Sequence, residues 1–250
     1  MDTSLFAPGG YRFIPAYFQY SSGVAAAPGN GIERVQLKVP VPLARGFEIA
    51  AQHMRHAGRP LTAFCACELR SPGQFTDAGF KAFNELYCRT LSDWGIYDAS
   101  TQINPVARSN VAPEIGGPAE PCLYAFSYTV AGGSPSASFV IAGSAESKPG
   151  TGPYPERIVR YGDTSPQALR EKAGHVLGVM EARLAAFGLR WADTTASQVY
   201  TIHDLHPFLA DAIVARGAAQ AGLTWHFARP PVEGLELEMD CRGVAHERVA

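Results

Sequence analysis

The sequence predicts a mixed α+β protein whose two halves repeat one order of elements. Each half has an amphipathic helix ended by a glycine (Gly58 and Gly188), followed by a strand, a second helix and further strands. An Ala-Arg pair recurs late in each half, at Ala107-Arg108 and Ala228-Arg229. A repeat of this size indicates a duplicated unit, and a cleft is expected between the like units.

In the first half, apolar residues first alternate with a period of two, as in a strand, and then follow the spacing of a helix. Val35, Leu37 and Val39 share one face of a strand, whereas Phe47 and Met54 belong to the apolar stripe of a helix. These patterns predict strands at 13–20, 32–41, 62–69, 106–111 and 121–130, and helices at 43–57 and 75–91.

A small, polar stretch at 131–138 predicts a linker and divides the chain into units 1–132 and 133–250. In the second unit, Ser165 as N-cap and Pro166 at the first helical position begin the best-specified helix of the chain. The predicted elements here are strands at 138–144, 158–161, 194–202, 223–227 and 235–244, and helices at 166–187 and 207–217. We expect two helices on one face of each mixed sheet, and an oligomer in which packed sheets cover the other face.

The composition describes a soluble globular protein. Of 250 residues, 46% are hydrophobic and 18% are charged, and a formal net charge of -2 leaves no basic excess for nucleic acid. No apolar run approaches the ~20 residues of a membrane helix, and no secretory pattern opens the chain. We therefore expect a cytoplasmic protein that binds neither nucleic acid nor membrane. The five cysteines form no paired framework, which predicts reduced thiols.

The sequence gives little support for a metal site or for a catalytic nucleophile. The histidine pairs His53/His56 and His203/His206 have no acid-rich or cysteine-rich partner at a familiar metal spacing. Nucleophile elbows, phosphate loops and dinucleotide fingerprints are also absent from the sequence. We therefore expect neither a metal nor a cofactor.

Arginine and carboxylate side chains are the remaining candidates. Arg108 lies in an apolar strand frame, and Arg229 recurs at the related place in the repeat; either is a paired structural charge or a grip for a substrate carboxylate. Glu236, Glu238 and Asp240 alternate along the last predicted strand. That face is either solvated or lines a cleft, where a desolvated carboxylate can act as a general base.

Several segments together resemble the Rid (YjgF-type) imine and enamine deaminase superfamily. They cover nearly the whole chain as two tandem copies and comprise 14–19, 80–87 and 105–109 in the first half, and Gly143-Ser144, 203–205 and 237–240 in the second. The segment Pro-Val-Ala-Arg-Ser around Arg108 is the most specific of them. The resemblance implies two tandem chorismate-mutase-like units and a trimeric or larger homo-oligomer with clefts between neighbouring units.

The resemblance also implies roles for individual residues. Arg108 is expected to hold a substrate carboxylate, and Glu238 is expected to activate water. Further substrate contacts are expected from Tyr17, Gly143 and Ser144, with Arg229 as a second arginine from the repeat. The first half has Tyr124-Ala125 where the glutamate is expected and Val41-Pro42 in place of Gly-Ser, while Arg229 lies in a shortened, proline-bound segment. We therefore predict one composite site, built from different halves or chains.

A tandem chain of this length is most similar to the 2-aminomuconate-type deaminases of aromatic degradation. That resemblance implies a metal-independent hydrolytic deaminase that converts 2-aminomuconate, or a chloro-substituted analogue, to the 2-oxo or 2-hydroxy acid and ammonia. Two arginines would suit the two carboxylates of such a substrate. Two alternatives stay open: a chorismatase-like enzyme acting on a dicarboxylate, and a non-catalytic Rid-like protein that binds small acids.

Overall fold

A computed structural model describes residues 1–133, 137–150 and 152–250. The strands are β1 (Ser4–Phe6), β2 (Tyr11–Phe13), β3 (Gly23–Ala26), β4 (Asn30–Pro42), β5 (Phe64–Arg70), β6 (Ala107–Pro113), β7 (Cys122–Ala131), β8 (Phe139–Ala145), β9 (Ala196–Tyr200), β10 (Leu223–His226), β11 (Ala228–Arg229), β12 (Glu238–Gly243) and β13 (His246–Val249). The helices are α1 (Leu43–His56), α2 (Asp77–Asp93), α3 (Tyr154–Arg157), α4 (Pro166–Ala186) and α5 (His206–Phe208).

The strands form two mixed sheets that share one internal arrangement. The first sheet has the order β11-β6-β5-β7-β4-β13 and the second has the order β1-β2-β3-β8-β12-β9-β10. A four-stranded core recurs, as β6-β5-β7-β4 in one sheet and as β10-β9-β12-β8 in the other. In each core the first pair is parallel and the other two are antiparallel. The predicted mixed α+β class with two mixed sheets is confirmed.

Strands from both ends of the chain join the sheet of the other half. At the start of the chain, β1 to β3 extend the second sheet through the pairing of β3 with β8. Near its end, β11 and β13 pair with β6 and β4 on the two edges of the first sheet. The division into units at 132/133 stays a prediction, and its linker at 131–138 includes residues 134–136, which lie outside the described residues.

Helices cover one face of each sheet. Phe47, Ala50 and Met54 of α1 are buried against the first sheet together with the apolar face of α2, as their spacing predicts. The long helix α4 packs on the second sheet. Its N-cap, Ser165, accepts a hydrogen bond from the amide of Ala168, as its sequence predicts. Within the described residues, every helix is too short or too polar to cross a membrane.

Three of the predicted elements take another form. The strand predicted at 13–20 stops at Phe13, the last residue of β2, and residues 14–20 form no strand, only an isolated bridge between Tyr17 and Tyr20. The helix predicted at 207–217 is one helical turn, α5, followed by a π-helical segment, Leu209–Val214. There the amide of Ala215 bonds to the carbonyl of Ala210, five residues earlier. The strand predicted at 158–161 is a turn, in which Arg160 adopts a φ of 51°.

The remaining faces of the two sheets lie against each other within the one chain. Their shared apolar cluster includes Ile32 and Ala107 from the first sheet and Val24 and Ala142 from the second. Strand β6 runs so close to β8 that a Cβ on Gly143 would lie 3.3 Å from the Cα of Ser109. We predicted that an oligomer would cover these faces, whereas much of the covering is intramolecular. This packing places β6 beside β8, which pairs with β12.

Candidate active site

A cleft of about 1080 Å³ opens where β6 meets β8 and β12. It is lined by residues of both sheets, of α2 and α4, and of the chain segment after β2. Five of the six residues singled out in the sequence line this cleft, namely Tyr17, Arg108, Gly143, Ser144 and Glu238. The fold therefore brings together residues from nearly opposite ends of the chain, from Tyr17 to Glu238.

Arg108 lies on β6 with only 3% of its surface exposed. Aromatic rings surround its guanidinium: the Cζ atom is 4.7 Å from the ring centre of Tyr87 and 5.4 to 5.7 Å from those of Tyr20, Phe80 and Phe83. Its buried Nη1 atom has no hydrogen-bond partner among the described residues. Cation–π contact offsets part of the desolvation cost, but a buried guanidinium without an anion remains expensive. The environment of Arg108 therefore favours binding of an anion.

Glu238 is the first residue of β12, between Ala145 on β8 and Tyr200 on β9. Its side chain is 4% exposed and faces the cleft. Burial, together with the nearby Asp240 carboxylate, raises the pKa of Glu238 from 4.5 to about 8, although Arg108 opposes the rise. A carboxyl group with this pKa can gain or lose a proton near neutral pH, as a general acid or base must.

Asp240 connects the two sheets through a buried polar network. Its carboxylate accepts hydrogen bonds from Ser109 Oγ at 2.5 Å, Gln198 Nε2 at 2.8 Å and Tyr200 Oη at 2.9 Å. Ser109 follows Arg108 on β6, and Asp240 lies two residues after Glu238 on β12. The network therefore fixes the relative position of the strands that carry Arg108 and Glu238.

A buried ion pair holds the chain where it enters β12. The Glu146 carboxylate accepts hydrogen bonds from the amides of Glu236 at 2.7 Å and Leu237 at 3.1 Å. Lys172 of α4 lies 3.2 Å from the same carboxylate, and both side chains are fully buried. The sequence analysis did not find this pair, because nothing in the local pattern links residues 26 positions apart.

The other two pocket residues of the second sheet are close to Glu238. Ser144 is 4% exposed and lies opposite Met239, the residue after Glu238. A Cβ atom on Gly143 would lie 2.0 Å from Oε1 of Glu238. The absence of a side chain at position 143 therefore leaves room for the Glu238 carboxylate.

Arg229 does not line the cleft. It lies on β11, at the edge of the first sheet, opposite Ala112 of β6. Its Nε atom is 2.7 Å from Glu114 Oε2, and its Nη1 atom is 3.4 Å from Glu236 Oε2. Two carboxylates occupy its guanidinium, so we do not include Arg229 in the proposed site. The two Ala-Arg pairs do not lie at equivalent places in the two sheets, since β11 and β6 are neighbours in the first sheet.

The sheet register relates the strands of the two sheets once one pair of positions is matched. In the first sheet, two successive residues of the central strand β5 pair with Arg108 on β6 and Ala125 on β7. In the second sheet, two successive residues of β9 pair with Trp225 on β10 and Glu238 on β12. With Ala125 set in the place of Glu238, as the superfamily motif sets it, the register puts Trp225 in the place of Arg108. Each sheet has one member of the arginine–glutamate pair, and the packing of the sheets combines them in one cleft.

Comparison with known proteins adds a family to this geometry. The family model described as 2-aminomuconate deaminase CnbZ matches residues 3–248. The chain belongs to this family. Among curated proteins, a 2-amino-5-chloromuconate deaminase from Comamonas testosteroni is 49% identical over 250 residues, which cover 99% of each chain. The family model and this relative both match nearly the whole chain.

Solved structures of the YjgF type overlap parts of the deaminase chain. The YjgF gene product from E. coli has a TM-score of 0.32 and 20% identity, and the overlap covers 43% of this chain and 80% of that one. E. coli TdcF with bound serine has a TM-score of 0.32 and 21% identity, with the same coverage. These partial overlaps add nothing to the family assignment.

The cleft also contains residues that the sequence analysis missed. Arg183 of α4 and Tyr20 after β2 both line it. The ring of Tyr20 contacts that of Tyr17 edge-on, with 5.9 Å between the ring centres. Arg183 gave no sequence signal, because a single arginine beside the apolar stripe of a long helix resembles a solvated position.

Replacing Gly143 with alanine is expected to lower the activity of the deaminase at least about 100-fold while leaving it folded. The added Cβ would occupy the place of the Glu238 Oε1 atom, and the displaced carboxylate would lose its alignment with the substrate. Steady-state kinetics and thermal unfolding would measure both effects.

Gly174 on α4 provides a matched control, since a Cβ there would meet nothing within 4 Å. Gly174→Ala is expected to keep full activity and to raise the free energy of unfolding by about 0.5 to 1 kcal/mol. Full activity in Gly143→Ala would show that this glycine does not control the carboxylate.

Proposed function

We propose that the protein hydrolyses the C–N bond of 2-aminomuconate or of a chloro-substituted analogue. The products are ammonia and the 2-oxo acid, which is in equilibrium with its 2-hydroxy tautomer. The observation that carries the proposal is the buried guanidinium of Arg108, surrounded by aromatic rings, in one cleft with Glu238. Membership of the family and the 49% identical relative support the choice of substrate.

Arg108 would bind the carboxylate next to the amino-bearing carbon. A bidentate contact supplies two charge-assisted hydrogen bonds and satisfies the guanidinium, including the Nη1 atom that has no partner among the described residues. The rings of Tyr20 and Tyr87 keep water away from this contact, which strengthens it. The reacting carbon is thereby held at a fixed place relative to Glu238.

Glu238 would activate the water. The enamine first moves a proton from nitrogen to carbon and becomes an imine. Glu238, as a carboxylate, takes a proton from water while the water oxygen bonds to the imine carbon. The C=N electron pair passes to nitrogen, and Glu238 returns its proton to that nitrogen. Glu238 then moves the hydroxyl proton to nitrogen in the same way. The C–N bond breaks, its electron pair leaves with ammonia, and the oxygen forms the carbonyl. The net reaction consumes one water and releases one ammonia.

The reaction as written needs no metal, and we propose that the enzyme is a metal-independent hydrolase. Activity is expected to survive dialysis against EDTA. We also propose, from the superfamily resemblance, that the protein is a homo-oligomer, expected as a trimer or a multiple of one, and that it acts in the cytoplasm. Light scattering after size-exclusion chromatography would test the assembly.

Ammonia release tests the proposed function directly. Purified protein is incubated with 2-aminomuconate, and ammonia is measured with a coupled dehydrogenase beside a heat-denatured control. We expect one ammonia for each substrate consumed, at a rate far above the control. Conversion of chorismate under the same conditions would favour the chorismatase-like alternative. Saturable binding of 2-aminomuconate without ammonia release would instead indicate a non-catalytic acid-binding protein.

A further inference from the structure

A second buried arginine, Arg183, lines the same cleft. Arg183 belongs to α4, is 8% exposed, and lines the same cleft as Arg108 and Glu238. Its Nη1 atom donates to the carbonyl oxygens of Ala142 at 2.9 Å and Gly143 at 3.4 Å. These bonds hold the guanidinium against the stretch of β8 that makes room for the Glu238 carboxylate.

The guanidinium of Arg183 is only partly satisfied. Its Nε atom is buried and has no hydrogen-bond partner among the described residues. Tyr17, Tyr20, Glu238 and Cys241 are near enough to its guanidinium to oppose the effect of burial on its pKa. Burial lowers the pKa of Arg183, but a guanidinium keeps its proton at physiological pH. Arg183 therefore brings a second positive charge to the cleft wall.

The other buried arginines differ from Arg108 and Arg183. Arg34 lies 2.6 Å from Glu68, Arg242 lies 2.7 Å from Glu247, and Arg70 lies 4.0 Å from Glu68. Across residues 1–133, 137–150 and 152–250, the two buried arginines without a carboxylate within 4.0 Å are the two that line the cleft. Because an unpaired buried guanidinium is costly, two of them in one cleft indicate a ligand with two negative charges.

We propose that Arg183 binds the second, distal carboxylate of a dicarboxylate substrate and selects diacids over monoacids. The inference rests on the proposed function for the identity of the substrate, but a diacid preference can be measured without turnover. Both arginines are near enough to Glu238 to lower its pKa, against burial and the neighbouring Asp240, which raise it. A substrate bound by both arginines would therefore lie near the Glu238 carboxyl group.

A pair of unreactive ligands tests this assignment. Muconate and sorbate have the same six-carbon diene skeleton, but muconate has two carboxylates and sorbate has one. Isothermal titration calorimetry on the full-length protein would give the Kd of each ligand. We expect wild-type protein to bind muconate at least about 10-fold more tightly than sorbate, since a charge-assisted bond contributes that much or more.

The variant Arg183→Met is expected to bind muconate at least 10-fold more weakly and to bind sorbate within about 3-fold of the wild type. The variant Arg108→Met is expected to bind both ligands more weakly than the wild type. Arg183→Gln keeps a donor toward the carbonyl of Ala142 while it removes the charge, so it should behave like Arg183→Met if the charge matters. Arg183→Lys should restore part of the muconate preference.

If Arg183→Met and Arg183→Gln raise the Kd of muconate and of sorbate by the same factor, the proposal is overturned. Arg183 would then have a structural role, or would bind the carboxylate that both ligands possess. An unchanged muconate preference would overturn it as well. If Arg183→Met does not fold, the comparison of Arg183→Gln with Arg183→Lys decides. A diacid preference that depends on Arg183 in a protein that releases no ammonia would retain this inference and reject the proposed deaminase.

Discussion

The variant Arg108→Met is expected to lose about 100-fold to 10,000-fold in kcat/KM for 2-aminomuconate. The guanidinium would supply two charge-assisted hydrogen bonds to the carboxylate, worth about 1.5 to 3 kcal/mol each, and methionine supplies none. We expect the free energy of unfolding not to decrease, because the variant removes a buried charge from among the rings of Tyr20, Tyr87 and their neighbours. Steady-state kinetics and urea unfolding would measure the two effects.

Two further arginines serve as controls. Arg229→Met is expected to retain near-normal kcat/KM, since Arg229 pairs with Glu114 and Glu236 away from the cleft. Arg34→Met is expected to destabilise the protein by about 3 to 5 kcal/mol, because it leaves the Glu68 carboxylate buried without its partner. Near-normal kinetics in Arg108→Met, or a large loss in Arg229→Met, would contradict the proposed site.

Elements that depend on local pattern could be predicted from the sequence. The strand at 30–42 and the helices α1, α2 and α4 lie within a few residues of their predicted positions, because their periodicity, caps and terminal glycines are local signals. The exchange of β1–β3 and of β11 and β13 between the sheets could not be predicted. Such pairings depend on contacts across most of the chain, and a short strand of two to four residues fits many partners.

The residues of the candidate site also fall into two groups, those that a local motif predicts and those that only the tertiary structure reveals. Tyr17, Arg108 and Glu238 were found from short motifs of the superfamily, and the structure places all three at one cleft. The repeat of Ala-Arg suggested Arg229, which the structure places outside the cleft, paired with Glu114 and Glu236. Arg183 was invisible in the sequence, since its meaning depends on which strand α4 packs against.

The register also explains why this fold would need one site rather than two. With Ala125 matched to Glu238 by the superfamily motif, the register puts Trp225 in the place of Arg108. A second site assembled from those positions would lack both the cation and the carboxyl group. A duplicated protein can lose the second arginine and the second glutamate if one arginine–glutamate pair is enough for activity. That pair forms only while the sheets stay packed so that β6 meets β8 and β12.

The variant Glu238→Gln is expected to remove the ionisation that controls the rate. In wild-type protein the pKa of Glu238 is raised to about 8, by burial and by Asp240. The base form is lost as the pH falls through 8, so kcat/KM at pH 6 should be about a hundredth of its value at high pH. Glu238→Gln should show a low rate, reduced by about 100-fold to 10,000-fold, with no step near pH 8.

The free energies of unfolding of the wild type and of Glu238→Gln should differ increasingly as the pH rises from 4.5 to about 8. An unfolded chain has the Glu238 pKa near 4.5, whereas the folded chain has it near 8, so folding favours the protonated form. The unfolding free energy of the wild type therefore falls as the pH rises from 4.5 to about 8, while Glu238→Gln escapes this loss. We expect similar stability at pH 4.5 and an advantage of about 2 kcal/mol or more for the variant at pH 9. A step near pH 8 that persists in the variant would assign the ionisation to another group. Loss of the kinetic step in the variant, together with its higher stability at pH 9, would assign the ionisation to the Glu238 carboxyl group.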